Sequence, residues 1–240
     1  MSDRIFFNLY TTPPHECNYL SNQLATTVFI EPGVQKNTLI YDKLSQRGFR
    51  RSGEHIYCPQ CKKCNACIAV RIPVESFNQR RSQRRVWRKN QDLTISIAAP
   101  IFKQEHFNLY HRYITARHQE GGMDDLTPKS YINFLTASWV RTIFYEFRFQ
   151  KQLIGVGVVD HLKNGLSAVY TFFDPDYSER SLGVYAVLWE IAEAKRLKHK
   201  WLYLGYWIKD NQKMGYKINY QPLEGYYQET WRNLTESTME

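Results

Sequence analysis

The order of secondary-structure signals after Pro100 is the feature that most constrains the fold of this chain. Apolar residues at helical spacing indicate helices, and β-branched or alternating runs indicate strands. A capping hydroxyl followed by Pro at the first helical position marks one helix start at Thr127-Pro128. The predicted elements are a helix over 103–118, the helix that starts at 127, strands over 142–149, 152–160 and 166–173, a helix over 182–198 and a strand over 201–207.

This order of elements is typical of a GNAT-type acyltransferase domain. The first 100 residues have shorter signals, with strands predicted over 25–31, 67–74 and 93–98 and a helix over 37–46. We therefore predict an α+β protein. A GNAT-like acyltransferase domain over residues 101–240 follows a smaller α+β domain over residues 1–100, which is basic and contains the cysteines.

Positive charge is concentrated in the first of these segments. Residues 1–100 carry 15 Lys and Arg against 7 Asp and Glu, whereas residues 101–240 carry 17 against 16. A local positive field favours a polyanionic partner, most often nucleic acid. An anionic membrane surface is the alternative, but the chain has no amphipathic or lipidated element. Without a signal peptide or a run of about 20 apolar residues, we expect a soluble cytoplasmic protein.

Four of the five cysteines form an evenly spaced run, Cys58, Cys61, Cys64 and Cys67, and Cys17 lies upstream. In a reducing compartment this pattern favours a metal site over disulfides. The even spacing is closer to iron–sulfur ligation than to the paired knuckles of zinc sites. The alternative is a loop of reduced thiols, and spacing alone does not identify the metal.

A basic run surrounds Trp87 and consists of Arg80, Arg81, Arg84, Arg85, Arg88 and Lys89. On a helix, four of these arginines share one face, which suits the phosphates of an RNA backbone. Trp87 then either stacks on a base or anchors the helix. Taken alone, such a run is as often a solvated helix face.

The turn before the helix over 182–198 reads Arg180-x-x-Gly183-x-Tyr185. Acetyltransferases of the GNAT fold carry Gln or Arg, then Gly, then a small residue here, and the amides of the helix start hold the coenzyme A pyrophosphate. Tyr185 replaces the small residue, which favours a different acyl carrier. The alternative is a surface loop capped by Ser181.

Motifs along nearly the whole chain resemble the arginyl-tRNA–protein transferase family, and in particular its bacterial branch. The N-terminal ones are His15-Glu16-Cys17-Asn18-Tyr19-Leu20, Leu44 with Gly48-Phe49-Arg50-Arg51-Ser52, Tyr57 to Cys67, Val70-Arg71-Ile72-Pro73-Val74, Phe77 and Ser82-Gln83-Arg84-Arg85. The C-terminal ones are Tyr170, Phe173-Asp174-Pro175, Ser181-Leu182-Gly183, Tyr185, Leu204-Gly205-Tyr206, Lys213-Met214, Tyr216-Lys217 and Tyr220.

Two departures from the family pattern affect the predicted metal ligands. Leu20 stands where the eukaryotic relatives have a second cysteine, and Cys58 stands where bacterial relatives commonly have Arg. The resemblance therefore favours Cys17, Cys61, Cys64 and Cys67 as ligands of a structural or regulatory iron–sulfur cluster or zinc ion. The transfer reaction itself is expected to need no cofactor.

The resemblance implies transfer of leucine from leucyl-tRNA to the α-amine of proteins that begin with Asp or Glu, which marks them for degradation. The expected catalytic residues are Tyr170, Asp174 and Tyr206. The expected acceptor-binding residues are Arg50, Arg51, Arg71 and Lys217. The expected aminoacyl-tRNA-binding residues are the basic run together with Ser181, Leu182, Gly183 and Tyr185.

The sequence alone is compatible with three other functions. One is transfer of arginine from arginyl-tRNA, because no feature of the sequence identifies the donor. The others are a coenzyme A-dependent acetyltransferase and a non-enzymatic, metal-containing RNA-binding protein. The sequence does not indicate an oligomeric state.

Overall fold

A computed structural model describes residues 7–117 and 126–235. Its elements before residue 100 are β1 (Leu9–Thr11), β2 (His15–Glu16), β3 (Leu24–Ala25), β4 (Thr27–Ile30), α1 (Thr38–Ser45), β5 (Arg50–Ser52), β6 (His55–Pro59), β7 (Ile68–Pro73), a 3-10 helix (Val74–Ser76), α2 (Arg81–Lys89) and β8 (Thr94–Ala98).

The later elements include every helix and strand predicted after Pro100. They are α3 (Gln104–Arg117), α4 (Pro128–Leu135), β9 (Arg141–Phe149), β10 (Gln152–His161), β11 (Gly165–Phe173), a 3-10 helix (Pro175–Arg180), α5 (Leu182–Arg196), β12 (Trp201–Trp207), α6 (Gln212–Gly215), a 3-10 helix (Tyr216–Asn219), β13 (Glu224–Tyr227) and β14 (Thr230–Asn233). The predicted α+β class is confirmed. His118, the predicted end of the first helix, lies outside the described residues.

An eight-stranded sheet forms the centre of the molecule, in the order β14-β13-β7-β12-β11-β10-β9-β8. Neighbouring strands are antiparallel, except that β11 and β12 are parallel. A four-stranded sheet, β1-β4-β6-β5, and the short β2-β3 pair lie outside it. Because β7 and β8 precede residue 100 and yet belong to the large sheet, residue 100 does not separate one sheet from another.

Helices cover both faces of the large sheet. Helix α5 contributes Leu182, Leu188 and Ile191 to the core on one face, and helices α3 and α4 contribute Tyr110 and Tyr131 to the core on the other. A third cluster lies under α1 and joins the small sheet to the large one. Burying one such side chain contributes roughly 1.5–3 kcal/mol, so these contacts hold both faces of the sheet in place.

Strands β11 and β12 separate soon after they begin, and this creates the space for a site. They pair only where Gly165, Leu166 and Ser167 face residues 201–203. Strand β12 then shifts register against β7 between Tyr203 and Gly205, and Gly205 has φ +81°, a conformation that favours glycine. Beyond this bulge the two parallel strands leave a wedge-shaped gap, here called the β11–β12 wedge.

Within residues 7–117 and 126–235, no helix has the length and apolar character needed to cross a membrane.

Candidate active site

Two basic side chains meet in the β11–β12 wedge. Arg50 reaches it from strand β5, is 7% exposed, and its Nη2 donates to the carbonyl of Ala168 at 2.7 Å. Lys217 reaches it from the 3-10 helix Tyr216–Asn219, and its Nζ donates to the carbonyl of Tyr206. A Cβ placed on Gly205 would lie 3.8 Å from both Arg50 Nε and Lys217 Nζ. Each basic group thus holds a carbonyl of one of the two diverging strands.

Neither group has a carboxylate within ion-pair distance among the described residues. The Nη1 of Arg50 is buried without a hydrogen-bond partner in the same part of the chain. Burial, and then the charge of Arg50, lower the pKa of Lys217 to about 7. Buried cations are normally paired, so this arrangement favours an incoming anion, and a bound carboxylate would restore the charge of Lys217.

A buried carboxylate, Glu190 of helix α5, lies within electrostatic range of Arg50. It is 1% exposed, and neither of its carboxylate oxygens has a hydrogen-bond partner in the described structure. Its Oε1 lies 3.3 Å from where a Cβ on Gly157 would stand. Burial raises the pKa of Glu190 to about 8, against the opposing effect of Arg50.

Sequence reasoning missed Glu190, although the sequence contains a signal for it. The residue falls among the apolar positions of the predicted helix, between Val187 and Ile191, where a carboxylate is unexpected. Helical periodicity alone would have placed it on the buried face. Which groups the Glu190 side chain faces depends on contacts with strands that are distant in the sequence.

Arg51 and Arg71 already have carboxylate partners in the fold. The Arg51 guanidinium is fully buried, binds Asp160 at 2.5 and 2.6 Å, and donates to the Leu135 carbonyl at 2.9 Å. Arg71 donates to Glu224 at 2.7 Å and lies between the rings of Trp201 and Trp231. Of the four predicted acceptor-binding residues, the structure brings together Arg50 and Lys217.

The three predicted catalytic residues lie in different surroundings. Tyr170 packs against aromatic rings of helices α3 and α4, and burial raises its pKa. Asp174 accepts from Arg112 at 2.6 Å and from the Asp176 amide at 3.1 Å, which makes it a cap of the following turn. Tyr206 donates to the Gly48 carbonyl at 2.8 Å. Its connection to the wedge is its own carbonyl, which binds Lys217.

The predicted basic run forms helix α2, preceded by Arg80. Arg80, Arg81, Arg84, Arg85, Arg88 and Lys89 are all exposed. The other face of the helix packs on α5, where the ring centroids of Trp87 and Tyr185 are 5.6 Å apart. Lys89 donates to the Glu179 carbonyl at 2.7 Å and Asn90 to the Arg180 carbonyl at 2.9 Å. These bonds place the basic helix beside the start of α5.

At the start of helix α5, backbone amides rather than side chains are available to bind a ligand. Ser181 adopts a left-handed conformation, φ 52°, and makes no side-chain cap. Leu182 and Tyr185 are buried, and a Cβ on Gly183 would lie 3.1 Å from the ring of Phe173. Arg180 is held by both oxygens of Asp92 at 2.9 Å. The first amides of α5 therefore carry the anion-binding capacity of this turn.

All five cysteines line one cavity of about 770 Å³ between the small sheet and strand β12. The Sγ of Cys61 donates to the Thr26 carbonyl at 3.8 Å, and the Sγ of Cys17 accepts from the Tyr19 amide at 3.4 Å. Burial, and then the neighbouring cysteines, raise the pKa of Cys67 to about 12. Across the described ranges, no three His, Cys, Asp or Glu side chains are arranged to hold a metal ion. The thiols are gathered without forming a closed coordination site.

Comparisons with known proteins identify the family. The profile described as "Arginine-tRNA-protein transferase, N terminus" matches residues 15–85, and that described as "Arginine-tRNA-protein transferase, C terminus" matches residues 105–227. A curated aspartate/glutamate leucyltransferase of Hahella chejuensis is 50% identical, with 92% of this chain and 95% of that protein covered. The one of Nitrosococcus oceani is 49% identical, with 96% and 98% covered.

Among solved structures, L-PGS from Bacillus licheniformis matches with a TM-score of 0.47 and 8% identity, over 61% of this chain and 47% of that one. The sequence matches define the protein as a transferase. The chain belongs to the arginine-tRNA-protein transferase family, so the resemblance inferred from its motifs is confirmed.

Proposed function

We propose that the protein transfers leucine from leucyl-tRNA to the α-amine of proteins whose first residue is Asp or Glu. The names of the curated relatives support the donor and the acceptors. The observation that carries the proposal is that the two basic side chains in the β11–β12 wedge have no carboxylate partner among the described residues. Arg50 and Lys217 supply a buried positive site for the side-chain carboxylate of the acceptor, and the planar fork of Arg50 suits carboxylate geometry.

The donor tRNA binds at the start of helix α5. The exposed arginines of α2 contact its phosphates, and the free amides at the start of α5 hold a phosphate near its acceptor end. Arg84 and Arg88 lie with Trp87 around one depression on this surface. The basic helix and the helix start form a continuous tRNA-binding surface because α2 packs directly on α5.

The reaction is the aminolysis of an ester. The neutral α-amine attacks the leucyl carbonyl, a C–N bond forms, the C–O bond to the ribose breaks, and the ribose oxygen receives a proton. Since the ester is already activated, holding the two substrates together in the wedge supplies much of the rate. Diverging strands of this kind support a GNAT-like arrangement for the transferase fold. The proposed catalytic residues are Tyr170, Asp174 and Tyr206, which lie on or directly after strands β11 and β12.

The same proposal includes a cytoplasmic role in marking proteins for degradation. It also includes an N-terminal domain over residues 1–100 that contributes β7, Arg50 and helix α2. Cys17, Cys61, Cys64 and Cys67 would be the ligands of an iron–sulfur cluster or a zinc ion. Such a group would stabilise or regulate that domain, and no step of the transfer passes through it.

A transfer assay tests this function. Purified protein is mixed with radiolabelled leucyl-tRNA or arginyl-tRNA and with peptides that begin with Asp, Glu or Ala. We expect label from leucyl-tRNA on the Asp and Glu peptides and none on the Ala peptide, and RNase treatment of the donor should abolish transfer. Label from arginyl-tRNA instead would overturn the donor, and acetyl transfer from acetyl-coenzyme A without RNA would overturn the reaction class.

A further inference from the structure

We propose that Glu190 binds the α-amino group of the acceptor and accepts its proton, so that the wedge recognises both charges of an N-terminal acidic residue. This inference deepens the proposed function and rests on it. Glu190 binds the amine of the acceptor, and Arg50 and Lys217 bind its side-chain carboxylate.

The carboxylate of Glu190 has no hydrogen-bond partner within the described part of the fold. Helix α5 packs on β11 and β12, the two strands that border the wedge. Both oxygens of Glu190 lack a hydrogen-bond partner in the described part of the chain, and Oε1 points at Gly157 of strand β10. Glycine inside a strand weakens the strand and often marks a close approach of another group. Gly157 therefore preserves space beside the carboxylate that any other residue would fill.

The charges around Glu190 match those of an N-terminal Asp or Glu. Arg50 is near enough to stabilise its ionised form but too far away to form an ion pair. Among the described residues, the charge of Glu190 also raises the pKa values of Tyr145, Tyr216 and Tyr220. The site thus has two basic groups and one unpaired carboxylate. An N-terminal acidic residue supplies the complement, one carboxylate and one ammonium group a few bonds apart.

Tyr216 is an exposed side chain within electrostatic range of this carboxylate. It is 42% exposed, adjoins Lys217 in the chain, and interacts electrostatically with Glu190 and with Tyr113 and Arg117 of helix α3. Helices α3 and α5 cover opposite faces of the large sheet. Tyr216 therefore lies within electrostatic range of groups that belong to both faces of the sheet.

Energetics also favour a functional role. A buried carboxyl group without a hydrogen-bond partner costs stability in either protonation state, whereas an apolar residue would remove that cost. A purely structural position gains nothing from Glu without a partner. An arriving ammonium group supplies the partner and turns the unfavourable burial into a charge-assisted hydrogen bond.

A proton of the acceptor amine passes to Glu190 before the amine attacks the ester. The acceptor arrives as an ammonium ion whose charge displaces the Glu190 proton to solvent, the ionised Glu190 then takes one proton from the nitrogen, and the resulting amine attacks the leucyl carbonyl. Loss of a second proton from nitrogen accompanies collapse of the tetrahedral intermediate, and one proton passes to the ribose oxygen that leaves. Burial raises the pKa of Glu190 to about 8, into the range in which an α-amine titrates, which suits a group that exchanges a proton with the amine.

Binding of two peptides that differ only at the α-amine tests the inference without tRNA. One begins with Asp and the other with N-acetyl-Asp, and the affinity of each is measured for the intact protein and for Glu190→Gln. We expect the unmodified protein to prefer the free amine at least 10-fold and Glu190→Gln to lose that preference, with leucine transfer reduced roughly 100-fold and the KM for leucyl-tRNA unchanged. Gly157→Ala, which crowds the carboxylate without changing its charge, should reduce the same preference.

The outcomes separate the two levels of the proposal. If Glu190→Gln folds and keeps both the preference for the free amine and normal transfer, Glu190 is not the amine site although the proposed function stands. If the unmodified protein binds neither peptide and transfers no leucine, the proposed function fails. Should Glu190→Gln fail to fold, an unchanged preference in a folded Gly157→Ala variant would overturn the inference.

Discussion

Arg50 and Arg51 are consecutive residues whose side chains reach different parts of the molecule. Side chains alternate along a strand, so from β5 one guanidinium enters the wedge and the other enters the core beside Asp160. Both arginines belong to one sequence motif, and residue type alone made them equivalent candidates for the acceptor carboxylate. Strand alternation and the position of Asp160 on β10 distinguish them, and both depend on the folded sheets.

Arg51→Gln should destabilise the protein strongly. It leaves the buried Asp160 carboxylate without its cation, which costs roughly 3–5 kcal/mol. At about 2–4 °C per kcal/mol for a chain of this size, the melting temperature should fall by roughly 10 °C. Arg50→Gln is the matched control, because it removes one hydrogen bond and an unpaired charge. Equal losses of stability in the two variants would contradict the assignment.

Glu190→Gln should gain stability relative to the unmodified protein as the pH rises. The folded protein keeps the Glu190 proton up to about pH 8, whereas the unfolded chain releases it near 4.5. Its contribution to stability is therefore complete at low pH and is lost as the pH rises through that window. The difference in melting temperature between variant and unmodified protein should be several degrees larger at pH 8.5 than at pH 5. Glu179→Gln, at an exposed position, is the control and should show no such trend.

At the scale of elements, local patterns predicted most of the helices and half of the strands in the described residues. The cap at Thr127, where Oγ1 accepts from the Ser130 amide at 3.2 Å, and the long helix α5 are set by neighbouring residues. Strands β13 and β14 were not predicted, because they are short and gain their order from pairing with β7 and with each other. Local sequence patterns could not predict the wedge either, because it arises from the register of two strands.

The position of helix α2 beside the start of α5 predicts which residues bind the tRNA. Arg84→Glu and Arg88→Glu should each raise the KM for leucyl-tRNA about 10-fold or more with little change in kcat. The dependence of binding on salt should weaken by roughly one phosphate contact per variant. Lys129→Glu, exposed on helix α4, is the matched control. A kcat that falls while tRNA binding is unchanged would contradict a purely tRNA-binding role for α2.

At the scale of the whole molecule, the large sheet joins both halves of the chain. Strand β7 lies between β12 and β13, and β8 forms the edge beside β9. The order of elements along the chain correctly indicated an α+β transferase. It did not indicate that β7 completes the later sheet, because strand pairing across more than a hundred residues leaves no local pattern.

A fragment of residues 101–240 should therefore not fold alone. Without β7, the edges of β12 and β13 lose their backbone partners and the buried side chains of β7 leave a gap in the core. Circular dichroism and amide dispersion in NMR spectra would show a disordered or molten fragment, whereas the full chain should unfold in one transition. A fragment with native-like dispersion would contradict this view of the sheet.

The central claim is that the wedge recognises the charge of the acceptor side chain through Arg50 and Lys217. The most direct measurement compares leucine transfer to peptides that begin with Asp or with its neutral isostere Asn, for the unmodified protein and for Arg50→Gln. A hydrogen bond to a charged group contributes about 1.5–3 kcal/mol, so the unmodified protein should favour Asp by roughly 10- to 100-fold in kcat/KM, and Arg50→Gln should lose most of that preference. An Asp preference that survives in Arg50→Gln would place the recognition of charge elsewhere in the protein.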